Sequence, residues 1–317
     1  MRFCLMIEGQ EDVTWARWLT LAAAAEELGF EGLFRSDHYL SLYAPTARGS
    51  LDAWSTIAAL AACTKRIRLG TLVSPVMVRH PAVLARQVAT ASAISNGRVD
   101  LGLGAGWYAR EHEAHGFSFP STADRFACLG EQLEILRGLF TGRPFSYSGQ
   151  LYTLRDCTFL PNPSKVQIIL GGKGGPRLAA LVATYADEFN SDQGTPAEVR
   201  IRIGRVRAAI KEQGRPPGRG ITMSLMTGCI VGRTRAQVRE RLSQVSARMS
   251  NPSADELARM RVSWIIGTPS EALERLSEFQ AAGVERIMLQ HHLPEDTEML
   301  ELLAGEIIPG LGCSTHP

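Results

Sequence analysis

The sequence predicts one closed α/β barrel, a (β/α)8 or TIM barrel with two insertions, with residues 1–317 as a single domain. Two observations carry that expectation. Short apolar runs alternate with helical patterns eight times along the chain, and 317 residues is near the usual length of such a barrel. A third marks its working end: a glycine-rich turn joining a mid-chain strand to a helix.

In chain order, Arg2 to Ile7 is an apolar run, and Thr14 to Leu28 a helical pattern that Gly29 closes as a C-terminal glycine. Glu31 to Ser36 reads as the second strand, Leu51 to Cys63 as a helix, and Ile67 to Val73 as the third strand. Pro81 to Ser95 is a helix with proline in its first turn. After the Asn96-Gly97 turn come a fourth strand, Val99 to Leu103, an expected long loop from Gly104 to Phe119, and a helix from Arg125 to Phe140. Residues 141–164 break the rhythm as a hairpin-like insertion around Ser148-Gly149 that ends in a proline-rich stretch. Strands Gln167 to Leu170, Asp187 to Asn190 and Thr222 to Val231 follow, separated by helices from Pro176 to Tyr185 and Pro196 to Gln213. Residues 232–264 read as a helical insertion broken near Asn251 and Pro252, before a helix (Pro269 to Ala282), a strand (Glu285 to Gln290) and a last helix (Asp296 to Ile308). The alternative is an open doubly wound sheet, because Gly104, Gly106 and Ala109 spell G-x-G-x-x-A. That spelling follows the fourth strand rather than the first, with no acidic strand end about twenty residues on, so the barrel is preferred.

With 45% hydrophobic residues, 21% charged residues and a net charge of +2, the chain gives no reason to expect nucleic acid or a membrane as partner. No apolar run approaches the roughly 18 residues of a membrane span, and MRFCLMIEG lacks the pattern of a secretory signal, so a cytoplasmic protein is expected. Cys4, Cys63, Cys128, Cys157, Cys229 and Cys313 lie far apart and are expected to be buried, reduced thiols. His112 and His115, flanked by Glu111 and Glu113, could ligate a metal, but a solvated helical face is the preferred reading and no metal is expected.

The glycine turn comprises Gly171, Gly172, Lys173, Gly174 and Gly175, followed by Pro176 at a helix start. Glycines let the backbone approach an anion, a helix N-terminus adds partial positive charge and Lys173 a full one, so this is a phosphate seat. Ligands of a (β/α)8 barrel bind at the C-terminal strand ends. Those ends offer Asp37 and His38; Thr71, Leu72, Val73 and Ser74; Gly104, Ala105, Gly106 and Trp107; Asn190; and Gln290, His291 and His292. Small residues on the third and fourth ends with a phosphate site on the fifth suggest a flat, phosphate-bearing cofactor, with Gly104 and Gly106 giving its ring room.

Four stretches resemble the luciferase-like flavin and deazaflavin oxidoreductases: Ser36 to His38, Arg66 to Gln87, Gly97 to Gly116 and Leu170 to Asn190. The chain is most similar to the branch that depends on coenzyme F420, an 8-hydroxy-5-deazaflavin. The resemblance implies hydride transfer to or from a small organic substrate (an imine, an enone or a ketone/alcohol). It also implies a homodimer, with the alanine-rich Ile57 to Ala62 as a packing segment, and a non-prolyl cis peptide at Leu72-Val73 behind the ring. His38 is then the general acid or base, with Asp37 orienting it or touching the ring. The implied cofactor set is Thr71, Leu72, Val73, Gly104, Ala105, Gly106, Trp107, Gly171, Gly172, Lys173, Gly174, Gly175 and Asn190. The family's sugar-phosphate dehydrogenases carry glutamate where this chain has Trp107. Trp107 is therefore expected to wall the substrate pocket and glucose 6-phosphate to be a poor substrate, with Glu111 either a replacement carboxylate or a helix-surface residue. The loop Tyr39 to Gly49 and the helical insertion are expected to shape substrate choice. An FMN-dependent monooxygenase using oxygen and a non-catalytic cofactor-binding barrel are the competing readings.

Overall fold

Eight parallel strands close into a ring in the computed structural model, which describes residues 1–43, 48–163, 166–214 and 220–311. They are β1 (Arg2–Ile7), β2 (Gly32–Arg35), β3 (Arg68–Thr71), β4 (Val99–Gly104), β5 (Ile168–Gly172), β6 (Glu188–Ser191), β7 (Thr222–Val231) and β8 (Arg286–Gln290). Each pairs with the next, and β8 pairs with β1. Helices α1 (Trp15–Glu27), α2 (Ala53–Cys63) and α3 (Pro81–Ile94) follow β1 to β3, and α4 (Ala109–His115) and α5 (Thr122–Leu139) follow β4. α6 (Pro176–Tyr185) and α7 (Pro196–Glu212) follow β5 and β6. β7 leads to α8 (Arg235–Arg248), α9 (Ala254–Ser263) and α10 (Pro269–Ala281), and β8 to α11 (Thr297–Leu302). The expected barrel is borne out.

Most helix starts are set by local chemistry. Thr14, Asp52, Ser121, Thr195, Thr234, Ser253 and Asp296 accept hydrogen bonds from N–H groups of the turns they begin. The strands alternate faces with period two. In β1, Phe3, Leu5 and Ile7 pack outward against the helices, while Cys4 and Met6 meet Phe34, Leu72, Ile169 and Met288 inside the ring. Phe34 fills this middle layer because Gly32 and Gly70 leave room: a Cβ on either would come within 2.6 or 2.7 Å of its ring.

Below lies an ionic layer at the N-terminal strand ends. Arg286, fully buried, donates to Glu188 Oε2 at 2.8 Å and lies 3.1 Å from Glu31 Oε2 and 3.7 Å from Asp100 Oδ2. Arg68 donates to Asp100 Oδ2 at 2.9 Å and Arg2 to Glu31 Oε1 at 3.0 Å, so three guanidinium groups face three carboxylates.

Several expectations need correction. The stretch from Gly104 to Phe119 is not all loop but contains α4. A short strand, Ile265–Gly267, follows α9 and pairs with β7; three residues carry too little period to be read. The last helix passes into a π-helical turn at Leu303–Ile307. Phe145–Ser148 and Thr153–Cys157 do pair as an antiparallel hairpin. Cys63 is exposed and Cys157 half-buried, against the expectation of buried thiols, because both end elements at the surface. Cys313, Pro45 with residues 44–47 of the Tyr39 to Gly49 loop, and Ser164 lie outside the described residues. No helix among the described residues is long and apolar enough to cross a membrane.

Candidate active site

A cavity of about 1590 Å³ opens at the C-terminal ends of the strands. On one side, β5 runs into the glycine turn. Gly172 and Gly174 take φ of 146° and 61°, so the turn needs glycine at both. α6 begins at Gly175 with no side-chain cap, unlike most helices of the barrel, and its first turn, Pro176 to Leu178, lines the cavity with Gly171, Gly172 and Lys173. An open helix N-terminus beside an exposed lysine favours negative charge at this place. Gly174 does not line the cavity; a Cβ there would press on Phe189 and the Arg202 backbone.

The back wall is built around Val73. The Leu72-Val73 peptide is cis, and Leu72 and Val73 line the cavity with Ala105 and Asn190. A Cβ on Gly104 would lie 2.7 Å from Val73 Cγ2, and one on Gly171 2.9 Å from Val73 Cγ1. Those glycines therefore accommodate Val73 directly, and both line the cavity. Gly106 is required for its φ of 80°. Gly104→Ala is accordingly expected to cost about 1–3 kcal/mol of stability through overpacking, measured by denaturant unfolding. Thr71 lies behind this wall, wholly buried and donating to the Gly102 carbonyl at 3.0 Å, and does not line the cavity.

Opposite stands His38, and its partner is not Asp37. The His38 Nδ1 lies 3.0 Å from Glu111 Oε2, and Glu111 Oε1 accepts from the Tyr39 and Leu40 N–H groups at 2.6 and 3.1 Å. Glu111 is buried on α4, so the expectation of a surface residue there is overturned; His112 beside it is buried as well. Burial disfavours the His38 imidazolium, but the hydrogen bond and charge of Glu111 outweigh it and hold the His38 pKa above 6.5. For Glu111, burial raises the pKa, and His38 with the two backbone donors brings it below 4.5. With Nδ1 engaged by Glu111, Nε2 is the ring nitrogen left to exchange a proton with a ligand in the cavity that His38 lines.

Asp37 instead anchors a buried clamp. It accepts from Arg79 Nη1 and from Ser74 Oγ, each at 2.6 Å, while Arg79 also reaches Asp52 and the Tyr39 hydroxyl. Asp37 neither orients His38 nor lines the cavity, and Asp37→Ala is expected to destabilise the fold by about 1–3 kcal/mol, because Arg79 keeps Asp52 but loses its buried partner and Ser74 Oγ loses its acceptor. Trp107 is 65% exposed at the rim, stacked on Tyr108 at 5.2 Å. His291 and His292 lie outside this cavity, and burial lowers them to about 4 and about 3, keeping both neutral. Tyr43, Met249 and Trp264 line the cavity from the loop and the helical segment expected to shape substrate choice, whereas Glu8, which lines it from just after β1, was passed over.

This architecture has relatives. The chain is 27% identical to an F420-dependent glucose-6-phosphate dehydrogenase of Amycolatopsis mediterranei, over 92% of each chain. In structure it is similar to an F420-dependent secondary alcohol dehydrogenase (20% identity, TM-score 0.84, 98% of both chains). It is likewise similar to the monooxygenase RslO1 of Streptomyces bottropensis (23% identity, TM-score 0.83, 98% of this chain and 99% of the other). At these identities the structural likeness concerns the fold. The model of the luciferase-like monooxygenase family matches residues 1–286, and the chain belongs to that family.

Proposed function

We propose that this chain is an F420-dependent oxidoreductase that exchanges a hydride with a small organic substrate, acting in the cytoplasm as a homodimer. The observation that carries this reading is one cavity holding both an anion seat, Lys173 with the uncapped start of α6, and a buried His38–Glu111 pair. Its relatives named as F420-dependent dehydrogenases support the cofactor. Exposed apolar side chains around α2 and α3, Leu51, Val83 and Ile94, support the dimer.

The residues present fit the cofactor: a phosphate-sized seat, an apolar wall at Val73 and Ala105, and glycines that bring backbone to the cavity surface. When bound, F420 supplies a carbon that donates or accepts hydride where a flavin has nitrogen. Lys173 and the first-turn N–H groups of α6 would hold its phosphate, and Leu72 and Val73 would set the plane of the wall. His38 Nε2 gives or takes the accompanying proton, and Glu111 keeps the imidazole in the tautomer and charge state for it. Trp107 covers the rim against water. Glu111, four residues after Trp107, is the carboxylate of this site that acts through His38.

Spectroscopic titration with F420 and with FMN tests the reading: F420 is expected to bind more tightly, and the reverse order would favour the monooxygenase alternative. Lys173→Ala is expected to weaken F420 binding by about 1.5 kcal/mol, roughly tenfold.

A further inference from the structure

The top layer of the barrel interior is polar and one-sided. Glu8, next after β1, and Gln290, the last residue of β8, are 8% and 4% exposed, and both line the cavity. Each Glu8 oxygen accepts from a neutral amide: Oε2 from Gln10 Nε2 at 2.7 Å and Oε1 from Gln290 Nε2. Gln10 is held in turn by Ser36 Oγ, which donates to its Oε1 at 2.5 Å. Among the described residues no arginine, lysine or histidine pairs with Glu8, and Gln290 Oε1 has no hydrogen-bond partner. Of the cations that line the same cavity, Lys173, Arg177 and Arg259 are exposed, and Arg202 is half-buried and bonded to Ser191, Asp192 and Gln193.

A buried carboxylate is ordinarily matched by a cation, and a buried carbonyl left without a donor is costly. Here both groups face the same chamber, and Glu8 bonds only to amides; the buried Arg35 guanidinium and His38 feel its charge without pairing with it. The floor of the cavity therefore offers acceptors and a negative charge. Glu8 also acts on His38 electrostatically, favouring its imidazolium, so charge and proton donor share one field.

We propose that Glu8 and Gln290 form the substrate-selecting subsite, which takes a small molecule carrying a protonated nitrogen, an amine or iminium, in preference to an anion. The proposal rests on the F420-dependent reading of this cavity and names the substrate class for it. A hydroxyl satisfies Gln290 Oε1 but not the charge of Glu8; a carboxylate or phosphate satisfies neither and meets repulsion.

The test uses the F420-loaded full chain at neutral pH and a matched set of probes: cyclohexylamine, cyclohexanol, cyclohexanecarboxylate and glucose 6-phosphate. Affinities are read by calorimetry. Cyclohexylamine is expected to bind at least about tenfold more tightly than the carboxylate, with the alcohol between them. Glu8→Gln is expected to abolish that ratio while F420 affinity stays as in the wild type, and Gln290→Met to weaken the alcohol while keeping the amine first. Carboxylate or glucose 6-phosphate binding as tightly as the amine overturns the proposal. So does a Glu8→Gln protein that binds F420 and keeps the wild-type ratio. Should Glu8→Gln fail to bind F420, the wild-type ranking decides alone. Failure of the wild type to bind F420 instead strikes the functional reading, which separates the two.

Discussion

Replacing His38 by asparagine is expected to lower kcat by about 10²- to 10⁴-fold, the range in which a positioned proton donor contributes. F420 affinity is expected to hold, because the anion seat belongs to β5 and α6. Glu111→Gln probes the same pair more finely: the amide still accepts from the Tyr39 and Leu40 N–H groups but no longer holds a charge against the imidazole. His38 sits above 6.5, so its protonated form persists above that pH and is lost only as pH rises through the raised value. The basic limb of the pH–rate profile is therefore expected to move to lower pH in Glu111→Gln. The pair also contributes to stability. Its contribution is complete between the ordinary carboxyl value of 4.5 and the ordinary imidazole value of 6.5. It fades as pH rises through the raised His38 value or falls through the lowered Glu111 value. Unchanged turnover in His38→Asn would remove this residue from the chemistry.

Arg286→Ala is expected to cost about 3–5 kcal/mol, measured as the shift in urea unfolding, because it strands Glu188 in the barrel interior beside Asp100. The arginine also lies 4.9 Å over the Phe34 ring, so the loss reaches the apolar layer above. Combining Arg286→Met with Glu188→Gln is expected to recover part of that loss, since a hydrophobic group of similar length replaces the guanidinium and the stranded charge is removed. A double variant no more stable than Arg286→Ala would show that the ionic layer acts through geometry rather than charge balance.

The barrel was legible because each strand and helix announces itself locally: apolar runs, capping residues and closing glycines need only a few neighbours in sequence. The glycine turn at the cavity was legible for the same reason, its glycines, lysine and proline being consecutive. The His38–Glu111 pair was not, because its partners are 73 residues apart and meet only when the ring closes. α4 hid it further: the helix starts at Tyr108 with no side-chain cap and runs seven residues, too short for a period to register. Asp37 misled for the converse reason, since adjacency to His38 suggested a partnership that Arg79, 42 residues on, in fact claims. Glu8 passed unnoticed as an ordinary acid after a strand. Its meaning comes from facing Gln290 across the seam where the last strand meets the first.

Trp107 leaves a practical consequence. Trp18, Trp54 and Trp264 are buried, and Trp15 sits on α1 away from the cavity, so the rim indole is the solvent-bathed one placed to sense what enters. Occupancy should dry its surroundings and move its emission to shorter wavelength. The protein thus carries its own fluorescent gauge of loading, readable without label and in real time.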